Sequence, residues 1–96
     1  MPAQTRIGDH DTGHDACPSR NLAEGSGDVL INGIPAGRVG DNYVAHGCVI
    51  HPSHTGVIAV GSATVLINGR QAGRIGDPVS CGGNVAEGSP NVMVGG

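Results

Sequence analysis

Ala23-Glu24-Gly25-Ser26-Gly27-Asp28-Val29-Leu30-Ile31-Asn32-Gly33 returns as Ala59-Val60-Gly61-Ser62-Ala63-Thr64-Val65-Leu66-Ile67-Asn68-Gly69, and again as Ala86-Glu87-Gly88-Ser89-Pro90-Asn91-Val92-Met93-Val94-Gly95-Gly96. A pattern copied in this way implies a small structural unit that buries its apolar face only by stacking on its neighbours. Ahead of each copy stands a second recurring element: Arg6-Ile7-Gly8-Asp9, Arg38-Val39-Gly40-Asp41 and Arg74-Ile75-Gly76-Asp77. The order of parts never changes. Arg-aliphatic-Gly-Asp leads to a variable loop, then Gly-Ser, an aliphatic strand and, in the first two copies, Asn-Gly leading to the next Arg. The chain is therefore expected to be one domain over residues 1–96, built of repeats at about 6–37, 38–73 and 74–96.

Asn32-Gly33 and Asn68-Gly69 suit two-residue type I′ turns, so each Val-Leu-Ile strand is expected to fold back on the Ala-Gly-Arg-aliphatic-Gly-Asp stretch that follows. The Gly-Asp pairs read as turn chemistry, with glycine supplying unusual φ angles and aspartate bonding nearby amides. Along each strand, Leu30, Leu66 and Met93 point one way, while Val29, Ile31, Val65, Ile67, Val92 and Val94 point the other. One face must fill the core. The other is expected to meet a protein partner that is itself threefold, since an apolar surface built from three equivalent strands is otherwise left in water. The alternative is a domain covered on both faces, although no segment shows the 3.6-residue period of a covering helix.

Composition narrows the classes further. The 96 residues hold 18 glycines, Tyr43 as the only aromatic and no Phe or Trp, so the core must be Val, Ile, Leu and Ala. The reading is an all-β, turn-rich domain whose burial alone leaves it marginally stable. A net charge of −3 with five basic residues offers no patch for a phosphate backbone and no stacking platform for bases, so nucleic acid is not an expected partner. The polar start, Met1-Pro2-Ala3-Gln4-Thr5-Arg6, and the short aliphatic runs predict neither a secretory leader nor a membrane span. Three cysteines cannot all pair in one chain, so thiols or metal ligands are the default.

The loops carry the chemistry. His14 follows Asp9 by five residues as His46 follows Asp41, and His54 precedes Ser62 by eight as Cys81 precedes Ser89. If the loops meet on a pseudo-threefold axis, His14, His46, His54 and Cys81 make a His₃Cys set that suits tetrahedral zinc. One structural zinc would also stabilise a domain this small. His10 and His51 read as surface residues, with His51 close enough in its loop to exchange with His54 or His46. Cys17 and Cys48 read as small buried thiols more often than ligands, and a disulfide between them would need an oxidising setting.

A zinc hydrolase or metal carrier is the competing reading. A catalytic zinc keeps an open position and usually a nearby carboxylate base. Here four candidates fill the ligand positions, Glu24 and Glu87 lie outside the ligand loops, and no nucleophile–base pairing stands out.

Pro35-Ala36-Gly37-Arg38 and Gln71-Ala72-Gly73-Arg74 approximate a Pro-Ala-Ala-Arg element. With the Gly-Ser-x-x-Val-x-Ile-Asn-Gly strands, Cys81-Gly82-Gly83 and the final Gly-Ser-Pro-Asn-Val strand, nearly the whole chain resembles the PAAR-repeat proteins. The departures are Gly37, Gly73 and Gln71. The resemblance implies a conical β domain with zinc near its tip, seated on the blunt end of a trimeric β-helical spike, either VgrG of a type VI secretion system or the central spike of a contractile phage tail. It also implies one tip per trimer, help in breaching a target membrane, and no catalysis. Effector proteins held through the outer loops are a further implied partner, and no toxin is expected within the chain. The corresponding location is the cytoplasm before firing and the outside of the cell or a target afterwards, or a virion tail tip.

Overall fold

The computed structural model describes residues 1–13, 17–45 and 55–96. Among them there is no helix, and the all-β expectation is met by four two-residue strands joined through isolated bridges. They are β1 Leu30–Ile31, β2 Ile34–Pro35, β3 Leu66–Ile67 and β4 Arg70–Gln71. β1 pairs antiparallel with β2, Leu30 opposite Pro35 and Ile31 opposite Ile34. β3 pairs with β4 in the same register, Leu66 opposite Gln71 and Ile67 opposite Arg70. Asn32 and Gly33 have φ of 55° and 78°, and Asn68 and Gly69 have 55° and 77°. Positive φ at both central residues is the type I′ signature that Asn-Gly favours.

The return strands are shorter than expected. Ala36 and Ala72 are the last residues bonded to their own hairpins, their N–H donating to Val29 O and Val65 O at 3.0 Å, and they also bridge Arg6 and Arg38. The carbonyls of Ala36 and Ala72 accept from Ser26 N and Ser62 N at 2.8 and 2.9 Å. The alanine thus closes the hairpin, and the glycine after it turns to another strand.

The third hairpin is made from both ends of the chain. Ala3 bridges Met93, Gln4 N donates to Val92 O at 3.0 Å, and Val94 N donates to Pro2 O at 2.8 Å. Counted back from Arg6, Arg38 and Arg74, Pro2-Ala3-Gln4-Thr5 occupies the place of Ile34-Pro35-Ala36-Gly37 and Arg70-Gln71-Ala72-Gly73. A bridge between Gln4 and Arg74 closes the cycle. At its centre, Thr5 N donates to Gly73 O (3.0 Å), Gly73 N to Gly37 O (2.9 Å) and Gly37 N to Thr5 O (2.9 Å), a closed ring of backbone bonds about the pseudo-threefold axis.

This ring explains the two glycines that depart from Pro-Ala-Ala-Arg. A Cβ on Gly37 would lie 2.6 Å from Leu22 Cδ2 and 2.7 Å from Thr5 Cγ2, and one on Gly73 would lie 2.8 Å from Ile58 Cδ1. Thr5 fills the axis, so its two counterparts carry no side chain.

Apolar clusters flank the ring in a molecule of 37 × 23 × 22 Å. On the loop side, Leu22, Tyr43, Ile58, Val79 and Val85 are buried, with Val39 and Cys81 packed against them. On the hairpin side, Ala36, Ile67, Ala72 and Val94 are buried, with Val29 and Ile31 against them. The strand alternation is clear at the central positions: Leu30, Leu66 and Met93 are 57, 61 and 47% exposed, while Ile67 and Val94 are 6 and 7% exposed.

Candidate metal centre and docking face

Each loop leaves the scaffold through the same anchored turn. Asp9, Asp41 and Asp77 donate their N–H to the carbonyls of Arg6, Arg38 and Arg74 at 3.0 Å, with the intervening Gly8, Gly40 and Gly76 at φ of 92°, 92° and 94°. Glycine at the third position of a type II turn meets that requirement. The aspartate Oδ2 accepts the arginine N–H (3.0, 2.8 and 2.8 Å) and Nε (2.9, 2.9 and 3.1 Å), and Oδ1 accepts Nη2. These bonds hold the three guanidiniums more firmly protonated. Asp41, the most buried of the three, also accepts Arg70 Nη2 at 3.0 Å. The Gly-Asp pairs are therefore turn and ion-pair chemistry.

The units are sewn together by the serine of each Gly-Ser. Ser26 Oγ accepts Val29 N at 2.8 Å and donates to Asn68 Oδ1 at 2.6 Å. Ser89 Oγ accepts Val92 N at 2.9 Å and donates to Asn32 Oδ1 at 2.6 Å. Ser62 Oγ accepts Val65 N at 3.0 Å, but donates to the backbone carbonyl of Gly95 at 2.6 Å. Arg6 and Arg38 Nη1 reach the same two Asn oxygens, and Arg74 Nη1 reaches Gly95 O. Sequence reasoning used these serines only as markers of the frame. Their burial is invisible without the neighbouring unit.

Of the four predicted zinc ligands, His14, His46 and His54 lie outside the described residues, as do His51 and Cys48. Cys81 is a half-buried free thiol whose pKa is raised by burial and then by the Asp11 carboxylate. Its sulfur sits against Gly56, where a Cβ would be 2.5 Å from Sγ. Gly56 O in turn accepts Tyr43 N at 2.9 Å. Among the described residues no group of three or more His, Cys, Asp or Glu side chains is placed to hold a metal ion. Cys81 itself suits a soft ion such as zinc, being a free thiol on the loop-side cluster.

His10 is exposed as expected, its backbone N–H bonded to Glu87 Oε1 at 2.8 Å. Cys17 corrects the thiol reading: it is buried and disulfide-bonded. The thiol expectation rested on the absence of a leader segment, which carries no information about which sulfurs the loops bring together.

The nine strand positions predicted to meet a partner divide between core and surface. Ile67 and Val94 are buried in the hairpin-side cluster, Val29 and Ile31 pack against it and Val92 is half-buried. Leu30, Leu66, Met93 and Val65 are exposed.

The family model described as the PAAR motif matches residues 51–96. No curated protein matches the chain.

Proposed function

Because this chain is a PAAR-repeat protein, we propose that it caps and sharpens the blunt end of one homotrimeric β-helical spike and aids puncture of a target membrane. The PAAR motif is structural, not enzymatic, and its context is the spike of type VI secretion systems and related phage tails. The observation that carries the reading is the set of equivalent exposed residues Leu30, Leu66 and Met93, one from each unit. Large apolar side chains repeated about one axis fit a partner with the same symmetry. The chain would await firing in the cytoplasm and then leave with the spike, or ride on a virion tail tip. Its outer loops could also carry effector proteins.

Native mass spectrometry of the chain mixed with a VgrG-type trimer tests the seating. One chain per trimer is expected, and Leu66→Asp should abolish the complex while leaving the melting temperature of the free chain nearly unchanged. A 3:3 assembly would overturn it.

His14, His46, His54 and Cys81 would hold one structural zinc at the loop end, where the ion would tie the loops together. Metal analysis should return one zinc per chain, and Cys81→Ala should lose the ion and several kcal/mol of stability. A folded chain that takes up no zinc would sink this part of the reading.

A further inference from the structure

An asparagine followed by glycine is open to attack on its carboxamide by the next backbone nitrogen, because glycine has no side chain to hinder the approach. Asn32-Gly33 and Asn68-Gly69 are both exposed, and open space lies where a Cβ on either glycine would stand. Neither glycine N–H makes a backbone hydrogen bond among the described residues. The nucleophile is free at both turns.

The carboxamides are held in the seams. Asn68 Oδ1 accepts Ser26 Oγ at 2.6 Å and Arg38 Nη1 at 3.0 Å, while its Nδ2 donates to Asp28 Oδ1 at 2.6 Å. Asn32 Oδ1 accepts Ser89 Oγ at 2.6 Å and Arg6 Nη1 at 3.1 Å, while its Nδ2 donates to Asn91 Oδ1 at 2.8 Å. The two sites differ in what the amide nitrogen meets, a carboxylate at one and a second carboxamide at the other.

That difference decides what an acid in place of each amide would do. At position 32 the Asn91 carboxamide can rotate to offer its NH₂, and Ser89 and Arg6 still donate. Asp28 has no proton to offer, since bonds from Asn68 and then Ser26 hold its pKa below the ordinary carboxylate value. A carboxylate at position 68 would therefore set two negative oxygens at hydrogen-bond distance, with Arg38 the one cation bonded to residue 68 among the described residues. Like charges so placed destabilise.

We propose that Asn32 and Asn68 are sites of spontaneous deamidation, and that conversion of Asn68, against Asp28, opens the seam between the first two hairpins while conversion of Asn32 leaves its seam closed. The nitrogen of the following glycine bonds to the carboxamide carbon, the bond from that carbon to Nδ2 breaks, and Nδ2 leaves as ammonia with the glycine proton. Water then adds to either carbonyl of the cyclic imide and breaks one of its C–N bonds, giving aspartate or isoaspartate. The hairpins joined by the Asn68 seam carry the exposed Leu30 and Leu66, so the same seam holds two parts of the apolar face together.

The test ages the purified chain at mildly alkaline pH and uses peptide mass spectrometry to find each asparagine converted to acid. Conversion is expected at Asn32 and Asn68 ahead of Asn21, Asn42, Asn84 and Asn91, none of which precedes glycine. Melting of Asn32→Asp and Asn68→Asp reads the consequence without isoaspartate. At neutral pH Asn68→Asp should melt well below wild type and Asn32→Asp close to it. Adding Asp28→Asn to Asn68→Asp should restore most of the loss. The gap between Asn68→Asp and wild type should also narrow in acid, because facing carboxylates titrate high and the repulsion ends when one is protonated. Conversion no faster at the Asn-Gly pairs than elsewhere overturns the modification. Equal melting losses in the two aspartate variants, or no rescue by Asp28→Asn, overturn the part assigned to Asp28. If Asn68→Asp does not fold alone, folding of the double variant supports the proposal and its failure to fold counts against it.

Discussion

Two of the three units are continuous in the chain, and the third is assembled from residues 2–6 and the segment after Arg74. The split unit keeps the bonds of the others between its two segments, Gln4 N to Val92 O and Ser89 N to Gln4 O, but departs from their side chains at the axis and at the turn. Gln4 and Thr5 stand where the continuous units have Ala36-Gly37 and Ala72-Gly73, and Gly95 stands where they have Asn32 and Asn68. The pseudo-symmetry is thus a property of hydrogen-bond geometry, with volume and donors shared unequally around it. One unit supplies bulk at the axis, and the other two make room.

That inequality can be tested by changing one unit at a time. The largest effect is expected at Asp41, which is 1% exposed and binds both Arg38 and Arg70, whereas the Asp9 side chain binds only Arg6 among the described residues and is more exposed. Asp41→Ala takes the carboxylate from the half-buried Arg38 and Arg70 guanidiniums and should cost about 2–3 kcal/mol in denaturant unfolding. Asp9→Ala should cost clearly less, and equal losses would mean the turns are energetically equivalent.

Next comes the axis. Gly37→Ala pushes a methyl into Thr5 and Leu22 and should cost about 1–3 kcal/mol by overpacking. Adding Thr5→Ala should restore part of it. Strictly additive losses in that double-mutant cycle would mean that the two positions do not share one volume.

The seams follow. Ser26→Ala leaves Val29 N without its acceptor, removes one of the two donors to Asn68 Oδ1 and should cost about 1–3 kcal/mol. Ser62→Ala should cost the same within error, because Gly95 O accepts at the same 2.6 Å as the Asn side chain. A much smaller loss at Ser62 would show that the split seam is the looser one.

The smallest effect lies at Glu24, whose counterpart in the second unit is Val60. Bonds from the Asn42 side chain and backbone lower the Glu24 pKa. A carboxylate depressed in the folded state stabilises above its ordinary pKa and loses that contribution as pH falls through the depressed value. Glu24→Gln should therefore be less stable than wild type at neutral pH, by well under about 1 kcal/mol for so exposed a group. The gap should close on acidification below the carboxylate range. A gap that widened in acid would contradict the sign.

The repeat frame, the Asn-Gly turns and the Arg-Gly-Asp anchors were legible because each is a local signal written more than once. The role of Pro2-Ala3-Gln4-Thr5 was not, although counting back from Arg6 puts it in register with Ile34-Pro35-Ala36-Gly37. Composition hid it, since Gln and Thr do not look like Ala and Gly, and only the axis shows why one unit carries the bulk. At the loop end, spacing could pair His14 with His46 and His54 with Cys81. It could not show Cys17 in a disulfide, or Tyr43 N bonded to Gly56 O and Gly56 set against the Cys81 sulfur. Those depend on which loops touch, a matter of three dimensions that no count along one chain contains.

The closed ring of Thr5, Gly37 and Gly73 bears on the order of events at the ribosome. Residues 2–5 emerge well before residues 92–94, with which they complete a hairpin. They must stay unpaired while the two continuous units in between already have their local hairpins. Cooperative closure is thereby deferred until residues 92–94 clear the exit tunnel.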